Sequence, residues 1–430
     1  MDNLKEQICK NIDAHQSMLL EVASEIWNNP EIGYREFKTA AQVKRVFENL
    51  KIPFKDNIAI TGCRAVLDTG KPGPTIALLG ELDALYLPSH TAADKETGAV
   101  HVCGHHLQIA SLLGAATALS ESNIKDYLTG RIVFISVPSE EFGMDRNRAA
   151  LKRNGEIEFF GGKQEMISLG VFDDVDAAIM VHSGNEYHYP ASYNGFVSKK
   201  IIFRGKASHA GLSPELGVNA LNAANIALNA INAQRETFRD EDNVRVHGII
   251  VNGGGAVNII PDTVEMEVQI RAGTIAAITD AAAKIDRSVL AGAMAIGAAV
   301  EIETIPGYMP LRNNDEIAKL YEQNLNMLNS KACLKKTGHR ASSTDMGDLS
   351  CIIPILHAYS CGVEGKFHSC DFRVADMVKA CIEPAKLMAM TAVDLLRTNK
   401  IARDYEFMGK EKYLESIRAF ANKKEFKYQD

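Results

Sequence analysis

The spacing of apolar residues divides the chain into stretches of two kinds. Up to about residue 190, helical and strand-like periods alternate. Residues 13–29, 36–50 and 107–120 repeat apolar side chains at helical spacing. Thr75–Leu79, Arg131–Val137 and Asp176–Val181 are short apolar runs, as expected of strands buried on both faces. This alternation predicts an α/β domain around a largely parallel sheet. In such sheets the chemistry gathers at the carboxyl ends of strands. Glu81 and Asp83 follow the first run, Glu140 and Glu141 the second, and His182 the third.

From about residue 195 the order changes to strand Ser198–Arg204, helix 214–237, strands Arg245–Asn252 and Thr263–Arg271, helix 275–293, and strand Ala298–Ile305. That order, β-α-β-β-α-β, predicts a ferredoxin-like domain. From Leu311 helix-strand alternation returns. The expected organisation is therefore a first domain in two parts, 1–194 and 309–430, with 195–308 inserted between them. Residues from Arg397 to Asp430 read as a charged tail with some helical content and no assignable chemistry.

Length, charge and cysteine usage narrow the class. A chain of 430 residues has room for two real cores. The net charge of −7 and the lack of a basic block argue against nucleic acid as a partner. The N-terminus lacks the charged-then-apolar pattern of a secretory signal. Apolar runs such as Val289 to Val300 are too short to span a bilayer. The eight cysteines are scattered with no CxxC, which fits reduced thiols in a cytoplasm. A cytoplasmic protein with no membrane partner is expected.

The chemistry-bearing residues are concentrated. His101-Val-Cys-Gly-His-His106 places Cys103 and His105 just before an apolar helical run. Thiolate and imidazole bind borderline-soft divalent metals. Pro138-Ser-Glu-Glu141 follows a buried strand, and alternation there is expected to send the two carboxylates to opposite sides. One can then hold metal while the other faces a water, the arrangement a metal-assisted hydrolase needs. His182 and His368 add imidazoles. Taken singly, each has a plain structural reading: an inert buried thiol, a satisfied histidine, a solvated carboxylate pair. Gly253-Gly-Gly255 lies between two strands without dinucleotide spacing, and neither an HExxH nor a G-x-S-x-G elbow is present.

Together and in this order the motifs resemble the M20 metallopeptidase and amidohydrolase family, in particular its aminobenzoyl-glutamate hydrolase and dipeptidase branches. The stretches that carry the resemblance are Gly80-Glu-Leu-Asp-Ala-Leu85, Cys103-Gly-His105, Pro138–Glu141, His182, Gly205–Gly211, Asn258–Asp262 with Arg271, Ser343–Asp348 and His368-Ser369. They span roughly residues 15–395. The resemblance implies a zinc-peptidase-like catalytic domain with an inserted dimerisation and lid domain. It implies two divalent ions, zinc or manganese with cobalt or nickel also accommodated, held by Cys103, His105, Glu141, His182 and His368. Glu140 is then the general base and Asp83 a carboxylate that orients a ligand. His209 stabilises the oxyanion from the other protomer of a homodimer, and Asn258 and Arg271 grip the substrate carbonyl and carboxylate. The implied activity is hydrolysis of the amide of a dipeptide or N-acyl amino acid with a free carboxylate. A non-catalytic metal- or ligand-binding relative is the alternative, which retention of Glu140 argues against.

Two departures stand out. His106 occupies the position after Cys-Gly-His where relatives carry Asp or Asn. Residues 143–160 are longer than the short Gly-rich link of relatives and read either as a pocket- or dimer-shaping insertion or as a solvated excursion.

Overall fold

The computed structural model describes residues 3–143, 146–398, 401 and 405–427. Among them the chain forms two compact units. The first comprises Met1–Ala191, Arg312–Gly338 and Asp348–Lys410; the second comprises Ser192–Leu311, His339–Gly347 and Glu411–Asp430.

An eight-stranded sheet runs through the first unit, in the order Phe54–Ile58, Gly62–Asp68, Arg131–Val137, Thr75–Glu81, Ala177–His182, Ile355–Tyr359, His188–Pro190 and Lys335–Thr337. The four central strands, Arg131–Val137 to Ile355–Tyr359, are mutually parallel. Their residues are buried almost without a break, which accounts for the unbroken apolar runs. The helix His105–Ser120 is buried from His105 to Leu119, so it reads as apolar all round. The helical period expected over 13–29 is the helix Gln16–Trp27, and a further helix, Asn3–Ala14, precedes it. The apolar stripe begins earlier, at Leu4, Ile8 and Ile12, and the turn at His15 restarts it at Leu19.

The second unit has a five-stranded antiparallel sheet, in the order Arg245–Asn252, Thr263–Ala272, Gly195–Arg204, Ala299–Pro306 and Asn422–Phe426. The helices Ala220–Ala233 and Ile275–Ile296 share its apolar core. The stretch expected to be one helix over 214–237 is helical only in Ala220–Ala233, flanked by short 3₁₀ turns, with Asn219 capping its N-terminus.

The tail corrects the expected boundaries. Its last part belongs to the second unit, where Asn422–Phe426 pairs with Ala299–Pro306 as a fifth strand. Lys424 Nζ lies 2.6 Å from Asp286 Oδ2, while Lys199, buried beneath the sheet, reaches Asp286 Oδ1 at 2.7 Å. Short polar strands of this kind carry little apolar signal, so pairing with a strand about 120 residues earlier was not legible. The 309–430 assignment is likewise corrected for His339–Gly347.

Candidate metal centre

The strand order brings distant sequence motifs to one end of the sheet. Thr75–Glu81 runs between Arg131–Val137 and Ala177–His182, all three parallel. Glu81, the Pro138–Glu141 segment and His182 therefore emerge side by side at the carboxyl ends. Gly104, with φ of 92°, turns the chain from Cys103 into the helix that starts at His105. A Cβ there would lie 2.1 Å from Ser183 Oγ, so only glycine lets this turn approach the loop after His182.

Three sets of donors come within ligating distance of one another: Cys103 with His105 and His182; Cys103 with Glu141 and His368; and Glu81 with His105 and Glu140. Cys103 is common to the first two. Its Sγ is 3.4 Å from His182 Nε2, and His368 Nε2 is 3.1 Å from Glu141 Oε1. The ring orientations are fixed from behind. His105 Nδ1 donates to the Asp83 carbonyl at 2.7 Å, and His182 Nδ1 donates to the Ser183 carbonyl at 2.8 Å. A carbonyl only accepts, so in the neutral imidazole each Nε2 presents a lone pair to the donor cluster. His105 Nε2 and Glu141 Oε1 are buried, and each faces only an ionisable neighbour, Glu81 Oε2 and His368 Nε2, at 3.1 Å. Buried polar atoms are rarely left unsatisfied, and a cation in each donor set would satisfy them. A thiolate, three imidazoles and carboxylate fit a dinuclear divalent centre.

The electrostatics agree. Burial and the Glu141 carboxylate push the Cys103 thiol up, but His105 and His182 outweigh them and bring it down to about 6. Thiolate is the metal-binding form. Burial opposes a charge on His368, yet Cys103 and Glu141 hold its proton up to about 11. Burial likewise raises Glu141, and His368 reverses that and lowers it. The cluster is thus arranged to be charged and to be balanced by protons or by divalent ions.

The loop that carries the two glutamates is held by backbone contacts. Ser139 N–H donates to Glu36 Oε1 at 2.8 Å, Glu140 N–H to Asp83 Oδ1 at 3.1 Å, and Glu141 N–H to Asp83 Oδ2 at 2.8 Å. Ser139 has φ of 52°. Strand alternation is therefore not what separates Glu140 from Glu141: the strand ends at Val137, and the left-handed Ser139 re-aims the chain. Asp83 Oδ1 also lies 3.3 Å from His105 Nδ1. One carboxylate thus touches both the glutamate loop and a donor imidazole.

Several contributors had no distinctive sequence signal. Glu36 is fully buried, takes a second hydrogen bond from Thr61 Oγ1 at 2.6 Å, and is pushed up to about 7 by burial and by Asp83. Lys163 is fully buried against Glu81. Arg148 is buried and donates to the Glu141 carbonyl at 2.6 Å. Arg148 lies in the 143–160 insertion, whose Ile157, Phe159 and Phe160 are also buried. Apart from residues 144 and 145, which lie outside the described residues, the insertion is anchored by Arg148 and by Ile157, Phe159 and Phe160, while residues 152–156 between them are exposed. His106 is buried between the rings of Trp27 and His101, at centroid distances of 5.0 and 5.5 Å, and belongs to none of the three donor sets. Burial lowers it to about 3, so it is neutral.

The remaining expected site residues lie in the second unit. His209 and Asn258 come together, with His209 bridging to Ile259 and the Ala210 N–H donating to the Asn258 carbonyl at 3.0 Å. His209 Nδ1 accepts from the backbone of Gly211 and Leu212, which leaves Nε2 as the protonated nitrogen. Arg271 donates to Gln269 Oε1 and to Ser343 Oγ, with its guanidinium over the Phe196 ring.

Fold and site define a metal-dependent hydrolase of amide or peptide bonds. Residues 192–290 match the peptidase dimerisation domain. The chain is 27% identical to the Xaa-Arg dipeptidase of Mus musculus, over 92% of this chain and 90% of the relative. It is 29% identical to one of the subunits of the p-aminobenzoyl-glutamate hydrolase of Escherichia coli, over 60% of this chain and 51% of the relative. Among solved structures, a dinuclear metal-binding M20 peptidase of Bacillus subtilis superposes with a TM-score of 0.67 at 21% identity, covering 90% of this chain and 99% of that one. An aminobenzoyl-glutamate utilization protein of Klebsiella pneumoniae gives 0.69 at 18%, covering 92% and 100%. The chain is thus similar to M20 peptidases and amidohydrolases, and its residues 192–290 match their dimerisation domain. No helix among the described residues is long and apolar enough to cross a membrane.

Proposed function

We propose that this protein is a homodimeric, two-metal amidohydrolase that cleaves the amide bond of a dipeptide or N-acyl amino acid bearing a free carboxylate. The observation that carries the reading is Cys103, whose thiol belongs to two donor sets at once, with His105 and His182 on one side and Glu141 and His368 on the other. When bound, zinc or manganese ions supply Lewis acidity, polarising the scissile carbonyl and acidifying a water.

The protein's own groups do the rest. Glu140 lies within ligating distance of Glu81 and His105, its Oε2 3.9 Å from His105 Nε2, and there it takes the proton of the attacking water and passes it to the leaving amine rather than serving as a ligand. Asp83 fixes Glu140 and His105 relative to each other through the contacts above. Arg271, held by Gln269 and Ser343, offers a planar fork to the substrate carboxylate, and Asn258 offers an amide to the carbonyl. His209, with its Nε2–H outward, donates to the oxyanion of the substrate held by the other protomer.

Support for the dimer comes from the second unit. Arg245–Asn252 is an open edge of its sheet and exposes Ile249, Ile250 and Val251. Apolar edges of this kind are normally covered by a partner. The opposite edge is the short tail strand, exposed and charged at Lys423, Lys424 and Glu425, so the apolar edge is the one suited to a two-fold contact.

The decisive experiment is a screen of N-acyl amino acids and dipeptides, Xaa-Arg dipeptides and aminobenzoyl-glutamate among them, with metal-reconstituted protein. Hydrolysis abolished by chelation and restored by Zn²⁺ or Mn²⁺ supports the reading. Full activity in a verified metal-free sample ends it.

A further inference from the structure

Glu81 and Lys163 form a fully buried ion pair that the scheme above does not use. We propose that Glu81 is a further residue of the metal centre, needed to hold the ion on the His105 side, and that Lys163 anchors it. This rests on the two-metal reading of the site.

Glu81 is the last residue of its strand and is completely enclosed. Its Oε1 accepts from Lys163 Nζ at 2.6 Å and its Oε2 from Gln108 Nε2 at 2.8 Å. The same Oε2 lies 3.1 Å from His105 Nε2. His105 Nδ1 is engaged by the Asp83 carbonyl, so Nε2 is the nitrogen that faces Glu81 Oε2 in the core. A proton or a cation joins the two, and a divalent ion displaces such a proton when it binds. Two donors on one ion with bonds of about 2.1 Å stand about 3–3.4 Å apart, close to the separation seen. Glu140 lies within ligating distance of both and remains the base of the scheme above.

Lys163 is placed for this by its neighbour. A Cβ on Gly162 would lie 1.6 Å from the Pro138 carbonyl oxygen, so glycine alone lets the Gly162–Ser168 helix begin against the end of the strand. The next residue then reaches under the site. Removing one partner of a buried ion pair is strongly destabilising, and apolar replacements are often no worse than the pair. A purely structural role leaves unexplained why this pair sits at the donor cluster. Supporting groups around metal ligands commonly change metal affinity by about 10–100-fold.

The test reads metal, not turnover. Zinc and cobalt content per chain, and the Co²⁺ absorption spectrum during titration, are measured for the wild-type chain, Glu81→Gln, Lys163→Met and the double variant, with circular dichroism checking the fold. The wild-type chain is expected to load two ions. Glu81→Gln and the double variant are expected to load one tightly and the second about 10–100-fold more weakly, with thiolate-to-cobalt absorption from Cys103 retained. Should Glu81→Gln alone fail to fold because Lys163 is left unpaired, the charge-neutral double variant carries the test. Two ions of wild-type affinity in the folded variants would make the pair structural and overturn the proposal, while leaving the two-metal reading intact. Fewer than two ions in the wild-type chain would overturn both.

Discussion

Cys103 Sγ lies 3.4 Å from His182 Nε2, although the two residues are 79 positions apart. The contact joins a loop at a helix start to the end of a central strand, the junction that the bridging role proposed for Cys103 requires. Replacing Cys103 with Ser is expected to lower the content of both ions, because a hydroxyl is a far poorer ligand and the residue serves two donor sets. Metal analysis of purified Cys103→Ser against the wild-type chain checks this. Two tightly held ions in the variant would remove Cys103 from the bridge.

The two adjacent glutamates should separate by phenotype. Glu140→Gln is expected to keep metal and substrate binding and to lose about 10²–10⁴-fold in kcat. Glu141→Gln is expected to lose metal, because its carboxylate faces His368 and Cys103. Metal content and kcat measured side by side decide the matter, and the reverse pattern would mean that the roles are exchanged.

The role proposed for Arg271 ties turnover to the substrate carboxylate. An amidated substrate is expected to be hydrolysed much more poorly than the free acid, since a half-buried guanidinium that loses its charged partner costs up to about 2–5 kcal/mol. The comparison is kcat/KM on matched acid and amide. Equal values would take Arg271 out of the substrate site.

Catalysis across the dimer has a mixing test. His209→Ala and Glu140→Gln homodimers are each expected to be nearly inactive, with the His209 change costing about 10²–10³ in turnover. Their mixture is expected to recover part of the wild-type rate, since a heterodimer holds one site with an intact base and an intact donor. With protomer exchange verified by mass, no recovery would place His209 outside the other protomer's site.

Glu36 predicts a pH effect on stability. Burial and Asp83 raise it from its ordinary value of 4.5 to about 7. The folded state therefore binds more protons than the unfolded chain between those values. The Glu36 contribution is fully present below about 4.5 and is lost as pH rises through about 7. In chelated protein, urea midpoints at about pH 5, near the foot of this window, and about pH 7.5, above it, are expected to differ less in Glu36→Gln than in the wild-type chain. An unchanged difference would show that Glu36 titrates normally.

The sequence by itself determined most of the elements and singled out most of the donor residues that the structure brings together. Buried parallel strands announce themselves as apolar runs, because both faces are covered. Cys103, His105, Glu140, Glu141 and His182 each stand at a strand end or helix start, where side chains leave the core. The inserted β-α-β-β-α-β unit was legible for the same reason: its period is local. Tertiary structure decided what depends on partners far along the chain. Glu36 and Lys163 look like ordinary surface charges in sequence, and only the packing of other elements over them buries them beneath the site. The tail strand pairs through backbone groups, which carry no side-chain signature, and Lys424 finds Asp286 only after that pairing forms. The separation of Glu140 from Glu141 came from a left-handed Ser139 and the grip of Asp83, not from the two-residue period of a strand. A period along the chain reports the element a residue belongs to, whereas burial of a charge and the aim of a loop are set by neighbours that no local period encodes.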